Sequence, residues 1–156
     1  ALTYPDKVAS LTLMGYAPTG LSDRELKRRK TLLEQLKGGK VDVTAKAYLA
    51  NMMLPEHSDE ILPILTDMAS DLGAATLRAH VQSTTPRKDL TARLGQLKCP
   101  VNLIAARQDA VAPFSAMQTA QQKISGAQLF PVENSGHMMM LEQPASVAAL
   151  LNELLA

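Results

Sequence analysis

The last third of the chain alternates apolar strand-like runs with amphipathic helix-like runs. That order limits the fold more than any other feature. Val101-Asn102-Leu103-Ile104-Ala105-Ala106 is a short apolar strand preceded by Cys99-Pro100. Pro113 opens a helix predicted over 114–124 and stopped by Ser125-Gly126. Gln128 to Glu133 reads as a weaker strand, and its Pro131, which cannot donate to a ladder, suggests a sheet edge. Pro144 opens the closing helix, where Val147, Leu150, Leu151 and Leu154 recur at i, i+3, i+4 and i+7 as one apolar stripe. Strand, helix, strand and helix in succession require parallel pairing through right-handed crossovers, which is an α/β fold.

One more strand is expected near the start. Val8-Ala9-Ser10-Leu11-Thr12-Leu13-Met14 is mostly apolar and is closed by Gly15. Such a run reads as a parallel strand buried on both faces, with neighbours on both edges. Between Leu21 and Pro86 no convincing strand occurs. Ser22-Asp23-Arg24-Glu25 has the form of a reciprocal capping box, and the helix after it carries Leu26, Leu32, Leu33 and Leu36 before Gly38-Gly39. A second helix is predicted from Val43 to Met53, ending at Pro55. Asp59 to Thr85 is predicted to hold two helices with a joint near Leu72-Gly73 and Pro63 in a first helical turn. The expected organisation is a sheet core of residues 1–20 and 87–156 interrupted by a helical insertion at 21–86.

Composition removes several function classes. Of 156 residues, 46% are hydrophobic and 20% charged, which excludes a disordered or fibrous chain. Sixteen Lys and Arg against fifteen Asp and Glu leave a net charge of +1, too balanced for a dedicated nucleic-acid binder. The Lys27-Arg28-Arg29-Lys30 run is the one strong charge cluster, read either as a solvated helix face or as steering for an anionic substrate. No apolar run is long enough to span a bilayer, and mean hydropathy is −0.03. A single cysteine, Cys99, leaves no internal disulfide and no cysteine-rich metal site. No His/Cys/carboxylate spacing suggests a metal ion and no Gly-rich loop suits a nucleotide phosphate, so no cofactor is expected. These residues show no signal-peptide layout, and a cytoplasmic location is the expectation.

In open parallel sheets ligands bind beyond the carboxyl ends of the strands. Two loops leave those ends. Arg107-Gln108-Asp109-Ala110-Val111-Ala112-Pro113 follows the Val101 strand, and Asn134-Ser135-Gly136-His137-Met138 follows the Gln128 strand. Taken singly, Asp109 before a proline reads as a turn residue and His137 as a surface or core histidine. Taken together, on adjacent strand ends, the carboxylate can fix the imidazole tautomer and support the positive charge the ring acquires. Gly136 suits a close backbone approach. Met52, Met53 and Met138-Met139-Met140 read either as a flexible apolar pocket or as core filling. His57 and His80 carry no assigned role.

These segments resemble the alpha/beta-hydrolase fold family. Leu97-Lys98-Cys99-Pro100-Val101-Asn102-Leu103-Ile104 is similar to the entry into its seventh strand. Ala106-Arg107-Gln108-Asp109-Ala110-Val111-Ala112-Pro113 resembles its acid loop, with Ala106 where the family usually has Gly. Ser135-Gly136-His137-Met138-Met139-Met140-Leu141-Glu142-Gln143-Pro144 resembles its histidine loop and closing helix. The resemblance implies Asp109 as triad acid, His137 as triad base and residues 21–86 as a lid over the pocket. It also implies a partial parallel sheet of about three strands.

The family's nucleophile sits on a G-x-S-x-G turn. Ser10, Ser22, Ser70, Ser115 and Ser135 lack those flanking glycines, and Cys99 precedes a strand. Tyr4-Pro5-Asp6-Lys7-Val8 resembles the stretch after the nucleophile helix, so the chain is expected to open in mid-helix with the nucleophile upstream of Ala1. The expectation is a carboxyl-terminal hydrolase portion, inactive alone, acting on an ester, lactone or similar small-molecule substrate. Its partner would be the amino-terminal half, or a second copy joined through an exposed sheet edge. The alternative is a non-catalytic binding or self-association module.

Overall fold

The computed structural model describes residues 1–39 and 41–155, apart from the side chains at 42–45 and 155. The chain divides into two compact units. One comprises Ala1–Thr19, Met52–Leu54 and Leu90–Ala156, and the other Gly20–Asn51 and Pro55–Asp89.

The first unit holds a three-stranded parallel sheet, β1 (Leu11–Met14), β2 (Val101–Ala106) and β3 (Gln128–Val132), in the order β1-β2-β3. Leu11 pairs with Val101 and Met14 with Ile104, while Asn102 pairs with Gln128 and Ala106 with Val132. Three helices accompany the sheet: α4 (Phe114–Lys123), α5 (Met139–Glu142) and α6 (Pro144–Leu155). Alternate residues of β2 serve opposite layers because strand side chains alternate faces. Val101, Leu103 and Ala105 pack with Met117, Ala120 and Ile124 of α4 and the stem around it. Ile104 and Ala106 pack with Val132, Met139 and Val147, joined by Leu150, Leu151 and Leu154 of the predicted stripe. Each fully buried Leu or Ile of this kind contributes about 1.5–3 kcal/mol.

Two expectations for this unit change. β1 is not buried on both faces: Thr12 is exposed, its neighbours are half-buried, and among the described residues only β2 pairs with it. The chain does not open in mid-helix. Ala1 to Tyr4 are non-helical, and Pro5–Lys7 form a single 3-10 turn because Pro5 can start a turn but not continue one. Of the two readings of the methionines, core filling holds for Met139, which packs against Ile104 and Val132.

The second unit is helical: α1 (Asp23–Leu36), α2 (Asp42–Leu49) and α3 (Ser58–Thr84). Its buried side chains include Leu32, Leu36, Val41, Ile61, Leu65 and Ala69. Gly73 takes φ +74° and ψ 162°, a conformation open to glycine alone, and breaks α3 at the expected joint. The Ser22 hydroxyl accepts from the Glu25 amide at 3.2 Å, but the box is not reciprocal. The Glu25 carboxylate turns to Arg29 at 3.1 Å and Arg28 at 3.4 Å, since two cations one turn on outcompete a backbone amide. Arg28 also lies over the Tyr48 ring at 4.8 Å. Two of the four cations of the basic run therefore share one carboxylate. Pro63 lies beyond the first turn of α3, with no N–H for the Asp59 carbonyl. Both residues are exposed, so water can satisfy that carbonyl.

Candidate active site

β2 and β3 end level, and short backbone bonds carry the pairing into the loops. The Arg107 amide donates to the Val132 carbonyl at 3.0 Å and the Gln108 amide to the Ser135 carbonyl at 3.1 Å. The Gln108 side chain returns the bond, its Oε1 accepting from the Ser135 amide at 3.2 Å. The acid loop and the histidine loop are thereby held edge to edge.

Asp109 divides its two oxygens between structure and site. Oδ1 accepts from the amides of Val111 at 2.7 Å and Ala112 at 2.8 Å, closing an Asx-type turn. Oδ2 lies 2.9 Å from His137 Nδ1. The turn reading and the site reading of Asp109 therefore both apply, one to each oxygen. A carboxylate only accepts, so Nδ1 carries the shared proton and Nε2 is the nitrogen that can take another. The carboxylate side chain is 0% exposed and the imidazole 26%. A charge-assisted bond of this length is roughly twice as strong as a neutral one.

The histidine loop is shaped by close approaches. Asn134 takes φ +50°, which asparagine tolerates better than most side chains. A Cβ on Gly136 would lie 3.1 Å from the Met52 carbonyl oxygen and from Met53 Cα. The close backbone approach expected of Gly136 is present, and Met52–Leu54 is the segment that approaches. Gly15 (φ +58°) ends β1 beside the ring, where a Cβ would stand 3.5 Å from His137 Nδ1 and Cε1.

Sequence reasoning missed Ser135 and Glu142, both buried. Glu142 Oε1 accepts from the Leu54 amide at 2.7 Å and Oε2 from the Gly136 amide at 2.9 Å. The Ser135 hydroxyl shares its proton between Glu142 Oε2 at 3.2 Å and the Gly136 carbonyl at 3.1 Å. The one local hint is Met138 to Leu141, an apolar run that ends in an acid before Pro144, and it names no partner for that acid. A carboxylate in such a place must find donors.

His57 and His80 lie in the helical unit, at the turn before α3 and within it. Among the described residues no group of His, Cys, Asp and Glu could hold a metal ion. No helix of those residues is long and apolar enough to cross a membrane.

A parallel α/β sheet with these loops at its carboxyl edge is part of an alpha/beta-hydrolase fold. Within that class the chain belongs to the Ndr family, whose model matches residues 1–156. It is 26% identical over 170 residues to the monoacylglycerol lipase ABHD6 of Bos taurus, covering all of this chain and 50% of that one. Among solved structures it is similar to a thermophilic esterase from Thermogutta terrifontis, with TM-score 0.85 and 21% identity over 97% of this chain and 57% of that one. The enol-lactonase of Burkholderia xenovorans LB400 is similar too, with TM-score 0.85 and 16% identity over 99% of this chain and 59% of that one. The chain spans about half the length of the curated relatives it matches.

Proposed function

We propose that residues 1–156 supply the acid and base of a hydrolase that cleaves an ester, lactone or similar small acyl substrate by a Ser-His-Asp mechanism. The observation that carries the reading is the 2.9 Å bond between Asp109 Oδ2 and His137 Nδ1 at the carboxyl edge of the sheet. The substrate class is supported by relatives that include a lipase, an esterase and an enol-lactonase. In this reading residues 21–86 serve as the lid.

The chemistry follows from the ring's orientation. Nε2 removes the proton of a serine hydroxyl as it attacks the acyl carbon, and Asp109 holds the ring and supports its charge. Nε2 then returns the proton to the leaving oxygen, and the same nitrogen activates the water that clears the acyl group. The serine comes from outside these residues. Ser135 is unsuited to the role, since its hydroxyl is fully buried and engaged with Glu142 and the Gly136 carbonyl. Alone, the Asp–His pair has only water to activate.

The test is to supply a nucleophile half. The purified chain is expected to give no stoichiometric burst from a nitrophenyl ester. Co-expression with the amino-terminal half of the Thermogutta esterase is expected to restore turnover that His137→Ala abolishes. Turnover indifferent to His137→Ala would refute the reading.

The open edge of β1 favours a second reading, a non-catalytic module that pairs this edge with another copy. A concentration-dependent dimer that a proline at Thr12 disperses supports it, and a monomer at all concentrations removes it.

A further inference from the structure

We propose that Glu142 is a positioning residue for His137, a buried carboxylate that sets where the imidazole stands against Asp109. The proposal rests on the acid–base reading above and adds to it the device that holds the base in register.

Glu142 is 6% exposed, and among the described residues no cation pairs with it. Its charge is met instead by donors from two chain segments. Oε2 receives the Gly136 amide, one residue before His137, and the Ser135 hydroxyl beside it. Oε1 receives the Leu54 amide from a segment 88 positions earlier in the chain. On the other side of His137, the Met138 amide donates to the Met52 carbonyl at 3.0 Å. The backbone on both flanks of the histidine is thus tied to Met52–Leu54, through Glu142 on one side and directly on the other. Little space separates Gly136 from that segment, since even an added Cβ would stand 3.1 Å from the Met52 carbonyl oxygen and Met53 Cα.

The geometry makes the ring sensitive to this tie. The His137–Asp109 separation is 2.9 Å, and a displacement of about 1 Å carries it outside hydrogen-bond range. Two carboxylate oxygens facing two amide donors is a requirement that glutamine cannot meet. Its one oxygen serves either Gly136 or Leu54, and its NH2 then faces the other donor. Aspartate keeps the charge but is shorter by about 1.5 Å, so it cannot span both amides. A role through charge alone would be rescued by aspartate, and a positioning role would not.

The experiment reads the imidazole itself, in the whole chain, by NMR. Glu142→Gln and Glu142→Asp are each expected to speed exchange of the His137 Nδ1 proton by about tenfold or more, the protection that its charge-assisted hydrogen bond to Asp109 provides. The Gly136 amide should lose protection in parallel. Wild-type Nδ1 exchange in both variants would overturn the proposal. Asp109→Asn separates the two claims. If it too leaves the Nδ1 proton unchanged, the acid–base reading falls along with this one. If it exposes that proton while both Glu142 variants do not, only Glu142 is misassigned. Should the variants not fold, wild-type amide exchange decides. Slow exchange at both Gly136 and Leu54 supports the clamp, and exchange as fast as an exposed loop overturns it.

Discussion

Replacing Gly136 by alanine tests whether the histidine loop is held by close packing. The added Cβ would meet the Met52 oxygen and Met53 Cα at 3.1 Å and the Met53 carbonyl carbon at 3.2 Å. All are backbone atoms, so no side chain can swing aside, and the segment must move by a few tenths of an ångström. That segment is pinned by the Met138 amide at 3.0 Å and by Glu142 at 2.7 Å. Overpacking of this kind costs about 1–3 kcal/mol, and a weakened hydrogen bond adds about 1 kcal/mol. The expected loss is therefore about 2–4 kcal/mol. With a urea dependence near 2 kcal/mol per molar, the midpoint should fall by about 1–2 M. Gly95 is the control, because a Cβ there meets only the Lys123 carbonyl at an ordinary 3.5 Å. Gly95→Ala should stay within about 0.5 kcal/mol of wild type. Urea titration followed by circular dichroism measures both, and equal midpoints for the two variants would refute the packing argument.

In the helical unit, Ser22→Ala removes the one side-chain cap on α1 and should cost about 1 kcal/mol, read from the same titration. Tyr48 ionises above its ordinary value of 10.0, chiefly because burial disfavours the phenolate and next because of the Glu25 charge nearby. The unfolded chain then loses this proton first. The stability it contributes is complete below the ordinary value and is lost as pH rises through the raised one. Absorbance at 295 nm should show a late phase that Tyr48→Phe removes.

Much of the sheet is legible in the sequence because its strands and helices obey strong local signals. Val101–Ala106 is an unbroken apolar run, and the 147–154 stripe packs against Ile104 and Val132 as its period requires. Pro131 marks β3 as an edge by the donor it lacks. β1 reads worse, because a run of Leu and Met reports apolar surroundings without telling one covered face from two. Asp109 and His137 are legible through their order after adjacent parallel strands. Glu142 is not, since its value lies in amides contributed by Gly136 and by Leu54, and no local pattern links residues so far apart. The capping box misleads for a similar reason. Glu25 has a local amide within reach, but Arg28 and Arg29 offer full charges.

In the proposed mechanism Asp109 acts through His137 on a nucleophile supplied from elsewhere. The most direct measurement is the kcat of the complemented enzyme with Asp109→Asn beside wild type. Asparagine keeps the shape but offers its amide where the ring must donate, which favours the wrong tautomer. The expected result is a fall in kcat of about 10⁴-fold with KM little changed. A kcat within a few-fold of wild type would contradict it.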